Sequence, residues 1–361
     1  MEKKDELLLL VAVSGELPAD WIGRAVGSEA YAAALLTRLK REGELKLRNG
    51  NGIRGYLLRA KAKQYLLEAY PEEVESCFLG SASTNHVKSE PEKRLRLHRM
   101  SMVWIFCHRA GIRIFHSEKP ELFHDVPTLL PGTLSVNENR TAAYYGTAEW
   151  KRKEDKEIKG SRACGVLAAD RFYIVYNTMD SLMKWTPKTE RNLRSRMEMR
   201  LRRSRGGVFG GAIFFGTGME LLGRLLTSHG GIKGTLFALD DVYEALYFVP
   251  FQREAVLQLR LLCDQGGQKK LNQFLCSALK EVKEELFGLE AGTDEDGNPV
   301  YFCYLLELWQ LRRISQFPFR RSGRIFCFTY QAPALEAVFG ASCKVEAIRP
   351  DKVYRYLGWE E

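Results

Sequence analysis

Two short acidic patterns are the places where this sequence could support hydrolytic chemistry. Glu157-Ile158-Lys159 has the Glu-x-Lys spacing of restriction-type nucleases, in which the carboxylate holds magnesium and the lysine supports the attacking water. Asp240 and Asp241, with Glu244 following, form a second cluster that could hold a metal ion. Such patterns also arise by chance, and a loop beside a strand explains the second equally well. We therefore expect no cofactor, no metal and no catalytic residue, and keep a metal-dependent nuclease as the alternative function.

Other motifs that could carry chemistry are weak. The sequence has no Walker A loop and no Gly-x-Ser-x-Gly turn, and its histidines are not paired at helical spacing beside a carboxylate. The eight cysteines include no Cys-x-x-Cys pair and mostly lie in apolar strings such as 325–328. This predicts reduced, buried thiols and neither a disulfide framework nor a structural zinc site.

The first 75 residues have the spacing of a winged helix-turn-helix. A third helix, near Glu29 to Arg41, carries an apolar stripe at positions 32, 35, 36 and 39 that faces a small core. Its opposite face holds alanines and arginines, which suits the major groove because small side chains admit the backbone and arginine can bind guanine or phosphate. The residues expected to contact DNA from this helix are Ser28, Tyr31, Thr37, Arg38 and Arg41.

A hairpin follows this helix. Leu45 and Leu47 alternate with basic residues, the run Asn49-Gly50-Asn51-Gly52 predicts a turn, and Ile53 to Leu58 returns. A basic hairpin after a recognition helix is a wing, which positions the protein on the DNA backbone or minor groove. The expected wing contacts are Lys46, Arg48, Asn49, Asn51 and Arg54.

Charge alone does not predict DNA binding by this module. Residues 1–75 hold 12 basic and 12 acidic side chains, so the expectation rests on the composition of the exposed helix face. A winged helix that serves only protein interaction is the alternative reading of the module.

The net charge of +9 comes largely from one segment. Lys184 to Arg205 contains nine basic and two acidic residues. The segment 186–205 predicts a helix that is capped by Thr186 and has a narrow seam of Leu193, Met197 and Leu201. A solvated face is the ordinary explanation for a charge run, but an imbalance this large favours contact with nucleic-acid phosphates. The expected contacts are Arg191, Arg194, Arg196, Arg200, Arg202, Arg203 and Arg205.

Two smaller basic clusters are ambiguous. Lys93 to Arg99 follows a polar segment, and five arginines between 312 and 324 surround Phe317-Pro318-Phe319. Each could extend a phosphate track, and each could equally be a surface strand or loop.

Composition and pattern predict an α+β fold, an N-terminal winged helix-turn-helix followed by a larger mixed α/β domain. The expected boundaries are 1–78 for the DNA-binding domain, 79–97 for a polar basic linker and 98–361 for the α/β domain. The expected strands of the larger domain are 103–108, 112–115, 163–168 paired with 172–177, 208–215, 235–239, 245–249, 300–305 and 325–330. The expected helices are 219–227, 253–263, 269–287 and 334–339.

With no run of 18 apolar residues and no signal-peptide pattern, we expect a cytoplasmic protein without a membrane partner.

Part of the chain resembles a known family. The string Tyr31 to Gly43, the wing Lys46 to Tyr56, the helix Leu58 to Leu66 and the run Leu95 to Arg99 are similar to the replication-relaxation family of bacterial plasmids and conjugative elements. The likeness covers roughly residues 1–125, and many winged helices share these motifs. It implies DNA binding in plasmid replication or relaxation, or its regulation, and leaves the larger domain and the arginine-rich helix unexplained.

Two classes of function follow from the sequence. In the first, the protein is a DNA-binding factor of a mobile element whose winged helix reads a duplex site while the basic helix holds the phosphate backbone. Its expected partners are double-stranded DNA, a relaxase or replication initiator, and a second copy in a homodimer. In the second, the larger domain is a nuclease or a degenerate nuclease-like domain directed by the winged helix.

Overall fold

The computed structural model describes most of the chain as two compact units. The described residues are 1–78, 90–120, 122, 142–150, 158–205, 208–283, 290–316 and 323–360, without the side chains of 75–76 and 202–205. The first unit comprises residues 1–121 with 143–146, and the second comprises 122–142 with 147–361. The fold is mixed α+β, as the sequence predicts.

The N-terminal unit combines helices with a small antiparallel sheet in the order β1-β3-β2. Its elements are α1 (Lys3–Ser14), β1 (Leu17–Pro18), α2 (Ile22–Val26), α3 (Glu29–Arg41), β2 (Leu45–Gly50), β3 (Ile53–Leu58), α4 (Ala60–Ala69), α5 (Pro71–Phe78), α6 (Pro91–Arg109) and β4 (Ala143–Gly146). A short 3₁₀ turn, Ala19–Trp21, leads into α2.

Helix α1 lies at the centre of this unit. Residues 7–12 of the helix are all buried, and it packs against α2, α4, α5, α6 and β3. A helix that is apolar on all sides must be surrounded by other elements, and α1 meets that condition.

Helix α6 packs against α1 and β1, so the N-terminal unit extends past the predicted domain boundary at residue 98. The strand predicted at 103–108 is wrong, because these residues form the buried second half of α6. A continuous apolar run fits a buried helix as well as a strand, and periodicity alone does not separate them. The strand predicted at 112–115 is reduced to a single bridge between Arg113 and Ala143.

The hairpin closes as the sequence predicts. Asn49 pairs with Arg54, Gly50 pairs with Ile53, and Asn51 and Gly52 form the two-residue turn. Both turn residues have positive φ, 56° and 72°, which is the conformation of the tight hairpin turn that Asn-Gly favours.

The C-terminal unit contains two sheets. Strands β5, β6, β7 and β8 lie side by side in that order, with β5 antiparallel to β6 and the last three parallel. The elements of this part are α7 (Thr147–Trp150), β5 (Ala163–Ala168), β6 (Arg171–Met179), α8 (Pro187–Arg205), β7 (Val208–Gly216), α9 (Glu220–Thr227), β8 (Leu246–Pro250) and α10 (Ala255–Cys263).

The other sheet has the order β13-β12-β11-β10-β9, in which β11, β12 and β13 are parallel. Its elements are α11 (Gln265–Cys276), β9 (Glu281–Val282), β10 (Gly292–Thr293), β11 (Pro299–Phe302), α12 (Leu308–Gln316), β12 (Gly323–Phe328), α13 (Ala332–Phe339), β13 (Cys343–Ile348) and α14 (Pro350–Leu357). A core beside this sheet contains the buried residues Leu257, Leu261, Leu271, Leu275, Tyr304, Phe328, Val353 and Tyr354.

Most strand and helix predictions in this unit are confirmed within a few residues, and two are wrong. Residues 235–239 form no strand; Leu236 and Ala238 make isolated bridges with Lys184 and His229. The helix predicted at 269–287 begins earlier, because Asp264 caps it by accepting from the Gly267 N–H, and it ends at Cys276. Glu281 and Val282 then pair with β10, and residues 284–287 lie outside the described part.

The cysteines are free thiols, as predicted. Six are buried, and Cys77 and Cys276 are half-buried. Within the described residues, no helix combines the length and the apolar character needed to cross a lipid bilayer.

Candidate nucleic-acid interface

The outward face of α3 is open and basic. Ala32, Leu35 and Leu39 are buried, as the apolar stripe predicts, while Leu36 is half-buried. On the opposite side Arg38 and Arg41 are exposed, together with the small residues 30, 33 and 34. In the part of the chain that the structure describes, no carboxylate forms an ion pair with either arginine. This face can therefore approach a polyanion closely and offer it two uncompensated guanidinium groups.

Three further predicted contacts lie on α3 or at its start. Tyr31 is exposed over 49% of its surface. The Ser28 hydroxyl accepts a hydrogen bond from the Tyr31 N–H at 3.4 Å, so its first role is to cap the helix. The exposed Thr37 hydroxyl donates to the Ala33 carbonyl at 2.9 Å.

The hairpin presents its predicted contacts unequally. Lys46, Asn49, Asn51 and Arg54 are exposed. Asn49 and Arg54 are cross-strand partners, so their side chains share one face of the hairpin. Arg48 is half-buried, and its Nη1 lies 3.8 Å from Glu16 Oε2, so it is turned toward the protein.

Arg94 fixes this hairpin from inside. It extends from α6, is 1% exposed, and donates through Nη1 to the Gly50 carbonyl at 2.9 Å and through Nη2 to the Ile53 carbonyl at 3.0 Å. The two carbonyls flank the turn. The sequence predicts that Lys93 to Arg99 either extends a phosphate track or forms a surface strand or loop. In the structure these residues belong to helix α6, and Arg94 is buried and bound to the hairpin.

Glu16 provides the countercharge. Its carboxylate is 1% exposed and accepts from Arg94 Nε at 3.1 and 3.0 Å and from Arg94 Nη2 at 2.5 Å. His98 Nε2 lies 3.2 Å from Glu16 Oε1. Burial raises the pKa of Glu16, but the hydrogen bonds from His98 and Arg94 outweigh it and bring the pKa down to about 2. The side chain is therefore a carboxylate at any physiological pH.

This buried cluster is not among the sequence predictions, although the sequence contains a signal for it. Arg94, His98 and Ser101 recur at helical spacing on the side of α6 that continues into the apolar run. Polar residues that occupy the same side of a helix as its buried apolar residues predict a buried hydrogen-bond network rather than a solvated surface.

The basic helix α8 is anchored as its pattern predicts. Leu193, Met197 and Leu201 are buried. Glu190 continues this face and is 1% exposed, accepting from the Ser161 hydroxyl at 2.8 Å and from the Tyr176 hydroxyl at 2.7 Å.

Several arginines of α8 are engaged within the unit. Arg191 forms an ion pair with Asp241 at 2.5 Å, and Arg194 binds Glu244 at 2.8 Å and Glu198 at 2.7 Å. Arg200 donates to the Trp150 carbonyl at 2.7 Å. Arg196 is half-buried and also has an interaction partner. The side chains of Arg202, Arg203 and Arg205 lie outside the described residues.

The acidic candidates for metal binding are used in these contacts. Asp240 accepts from Trp185 Nε1 at 2.7 Å and from the Val242 N–H at 3.1 Å, while Asp241 and Glu244 pair with arginines. Lys159 is exposed, and its predicted partner Glu157 lies outside the described residues. Among the residues that the structure describes, no three His, Cys, Asp or Glu side chains are grouped to hold a metal ion. Residues 240–244, which we call the acidic loop, therefore supply carboxylates that form ion pairs with arginines of α8.

Comparison with protein-family models, with curated protein sequences and with solved structures found no match to this chain.

Proposed function

We propose that the N-terminal unit is a winged helix-turn-helix that binds duplex DNA, with α3 in the major groove and the β2–β3 hairpin as the wing. The observation that carries the proposal is the pair Arg38 and Arg41, exposed on a face of small side chains without a carboxylate partner among the described residues. Arginines in such a position bind guanine edges or phosphates.

The order of elements supports this assignment. Three helices, α1 to α3, precede a two-stranded hairpin, and the capped start of α3 lies directly after the left-handed Gly27 that ends α2. Arg94 holds both sides of the hairpin turn, so Asn49 and Arg54 are presented on a fixed strand pair. A rigid wing loses less conformational entropy on binding than a mobile loop would.

The basic helix α8 has a secondary role in the proposal. Surface ion pairs are worth about 0–1 kcal/mol each, so phosphates can displace Asp241 and Glu244 from Arg191 and Arg194 at modest cost. We assign sequence choice to α3 and additional, sequence-independent affinity to α8. From the resemblance of residues 1–125 to the replication-relaxation family, we further propose that the bound DNA belongs to a bacterial mobile element.

The test begins with a duplex site selected by the full-length protein from a random library. We expect Arg38→Gln/Arg41→Gln to weaken binding to that site at least about tenfold and to make the slope of log affinity against log salt less negative by about 2. The matched control is Lys233→Gln/Lys280→Gln, which removes two exposed charges from the C-terminal unit. Equal affinities for wild type and the α3 variant would overturn the proposal.

A further inference from the structure

The C-terminal unit carries an exposed pair of aromatic rings. Phe274 on α11 and Tyr356 on α14 are 53% and 50% exposed, and their ring centroids lie 4.7 Å apart at an interplanar angle of 41°. The next residue along α11, Leu275, is buried, as is Val353 on α14. The two helices pack through these apolar positions and turn the aromatic pair toward solvent.

The surface around the aromatic pair is basic. Residues 265–276 and 349–357 contain five basic side chains and one acidic side chain. The basic residues are Lys269, Lys270, Arg349, Lys352 and Arg355. Asp351, the acidic one, is bound by Arg349 at 2.9 Å and by Arg355 at 2.8 Å. These two segments therefore carry a net charge of +4.

Two of the lysines share a helix face with the rings. Lys270 precedes Phe274 by four residues, and Lys352 precedes Tyr356 by four, so each lysine lies one turn from a ring on the same face. Both lysines are exposed, and no carboxylate pairs with them among the described residues. We call this arrangement of Phe274, Tyr356, Lys270 and Lys352 the α11–α14 platform.

We propose that the α11–α14 platform binds single-stranded nucleic acid, with bases stacked on the two rings and backbone phosphates at the two lysines. Aromatic side chains bind the π faces of bases regardless of sequence, and neighbouring cations follow the backbone. In a duplex these faces are covered by neighbouring base pairs, so the platform selects unpaired strands. This site is separate from α3, and the proposal does not depend on duplex binding by the N-terminal unit.

A second copy of the chain fits this surface less well. A two-fold interface brings identical patches together, so it would place two surfaces of net positive charge against each other. An unpaired polynucleotide supplies both the flat apolar groups and the negative charge that the platform lacks.

The experiment measures binding of a fluorescent 20-nucleotide oligothymidylate to the full-length protein by anisotropy at several salt concentrations. The main variant is Phe274→Leu/Tyr356→Leu, which keeps the surface apolar but removes the stacking rings. We expect this variant to bind at least about fivefold more weakly, because that is the smallest loss in affinity expected when one stacked base loses its aromatic partner. Lys270→Gln/Lys352→Gln should make the salt slope less negative by about 1.4.

The controls are Ile232→Ala, a fully exposed apolar residue, and Lys233→Gln/Lys280→Gln, which removes two charges elsewhere in the same unit. Both should bind as wild type, and Arg38→Gln/Arg41→Gln should keep binding through the platform. If the leucine variant binds the oligonucleotide as tightly as wild type, the proposal is wrong. Sedimentation that shows self-association of wild type, and stronger self-association of Lys270→Gln/Lys352→Gln because repelling charges are removed, without oligonucleotide binding, would identify a protein interface instead.

Discussion

Arg94 and Glu16 form a fully buried, bidentate ion pair between α6 and the segment that precedes β1, and the same guanidinium binds both sides of the hairpin turn. The pair joins elements that are 78 residues apart in the chain. The position of the proposed wing therefore depends on a side chain far from it in sequence.

Removing Arg94 should destabilise the N-terminal unit severely. Arg94→Met leaves the Glu16 carboxylate buried with His98 at 3.2 Å and Arg48 at 3.8 Å, and breaking a buried ion pair in this way costs about 3–5 kcal/mol. Native-state hydrogen exchange of the α1 amides measures the effect as a lower free energy of opening. Arg96→Met, two residues along on the exposed side of α6, is the matched control and should change it by less than about 0.5 kcal/mol. A loss below about 1 kcal/mol for Arg94→Met would show that the buried pair contributes little.

Low pH should destabilise the N-terminal unit. The pKa of Glu16 is lowered to about 2 from its ordinary 4.5, so the unfolded chain binds the proton more readily. The stabilisation, about 3 kcal/mol, is present above pH 4.5 and is lost as pH falls toward 2. Hydrogen exchange of the α1 amides between pH 5 and 2.5 should show this decline, measured against free-peptide rates at each pH. In Glu16→Gln the unit starts less stable, and its stability should vary less across that range; an unchanged pH dependence would assign the acid sensitivity to other carboxylates.

Neutralising the acidic loop should strengthen DNA binding if α8 contacts phosphates. Asp241→Asn/Glu244→Gln releases Arg191 from its ion pair with Asp241 and Arg194 from its ion pair with Glu244, while Glu198 still binds Arg194, and it removes two negative charges beside them. We expect duplex affinity at low salt to rise about threefold to tenfold. Glu281→Gln/Glu295→Gln removes two exposed charges elsewhere in the C-terminal unit and should have a smaller effect. An affinity that does not rise would mean that α8 lies away from the bound DNA.

Truncation at the predicted linker should damage the remaining protein. A fragment of residues 80–361 would keep α6 but lose α1, exposing the buried positions 102–107. We expect this fragment to bind the dye ANS and to aggregate at concentrations where the full chain stays dispersed. A fragment that stays monomeric without ANS binding would show that α6 does not need α1.

Local sequence signals predicted much of the proposed interface. Ser28 as a cap, the stripe that contains Leu35 and Leu39, and the Asn51-Gly52 turn each depend on contacts within a few residues, and the structure has all three. The seam of α8 follows the same rule, since helical spacing alone identifies Leu193, Met197 and Leu201.

The features that sequence reasoning missed depend on long-range partners. Arg94 can be buried because Glu16 and the hairpin carbonyls bind its guanidinium group. Arg191 forms an ion pair with Asp241, which is 50 residues away in sequence but adjacent in the fold. The strand predicted at 103–108 is wrong for a related reason. This half of α6 packs against the buried helix α1, so residues 102–107 are all buried and their sequence shows no helical alternation of polar and apolar residues.

Hydrogen exchange of the full-length protein, with and without its selected duplex, tests whether α3 and the hairpin bind DNA. Binding is predicted to slow exchange of the backbone amides at 28–34, at the start of α3, and at 48–54, around the turn between β2 and β3. Protection confined to the C-terminal unit, with exchange at 28–34 and 48–54 unchanged by saturating DNA, would show that α3 and the hairpin do not bind the duplex.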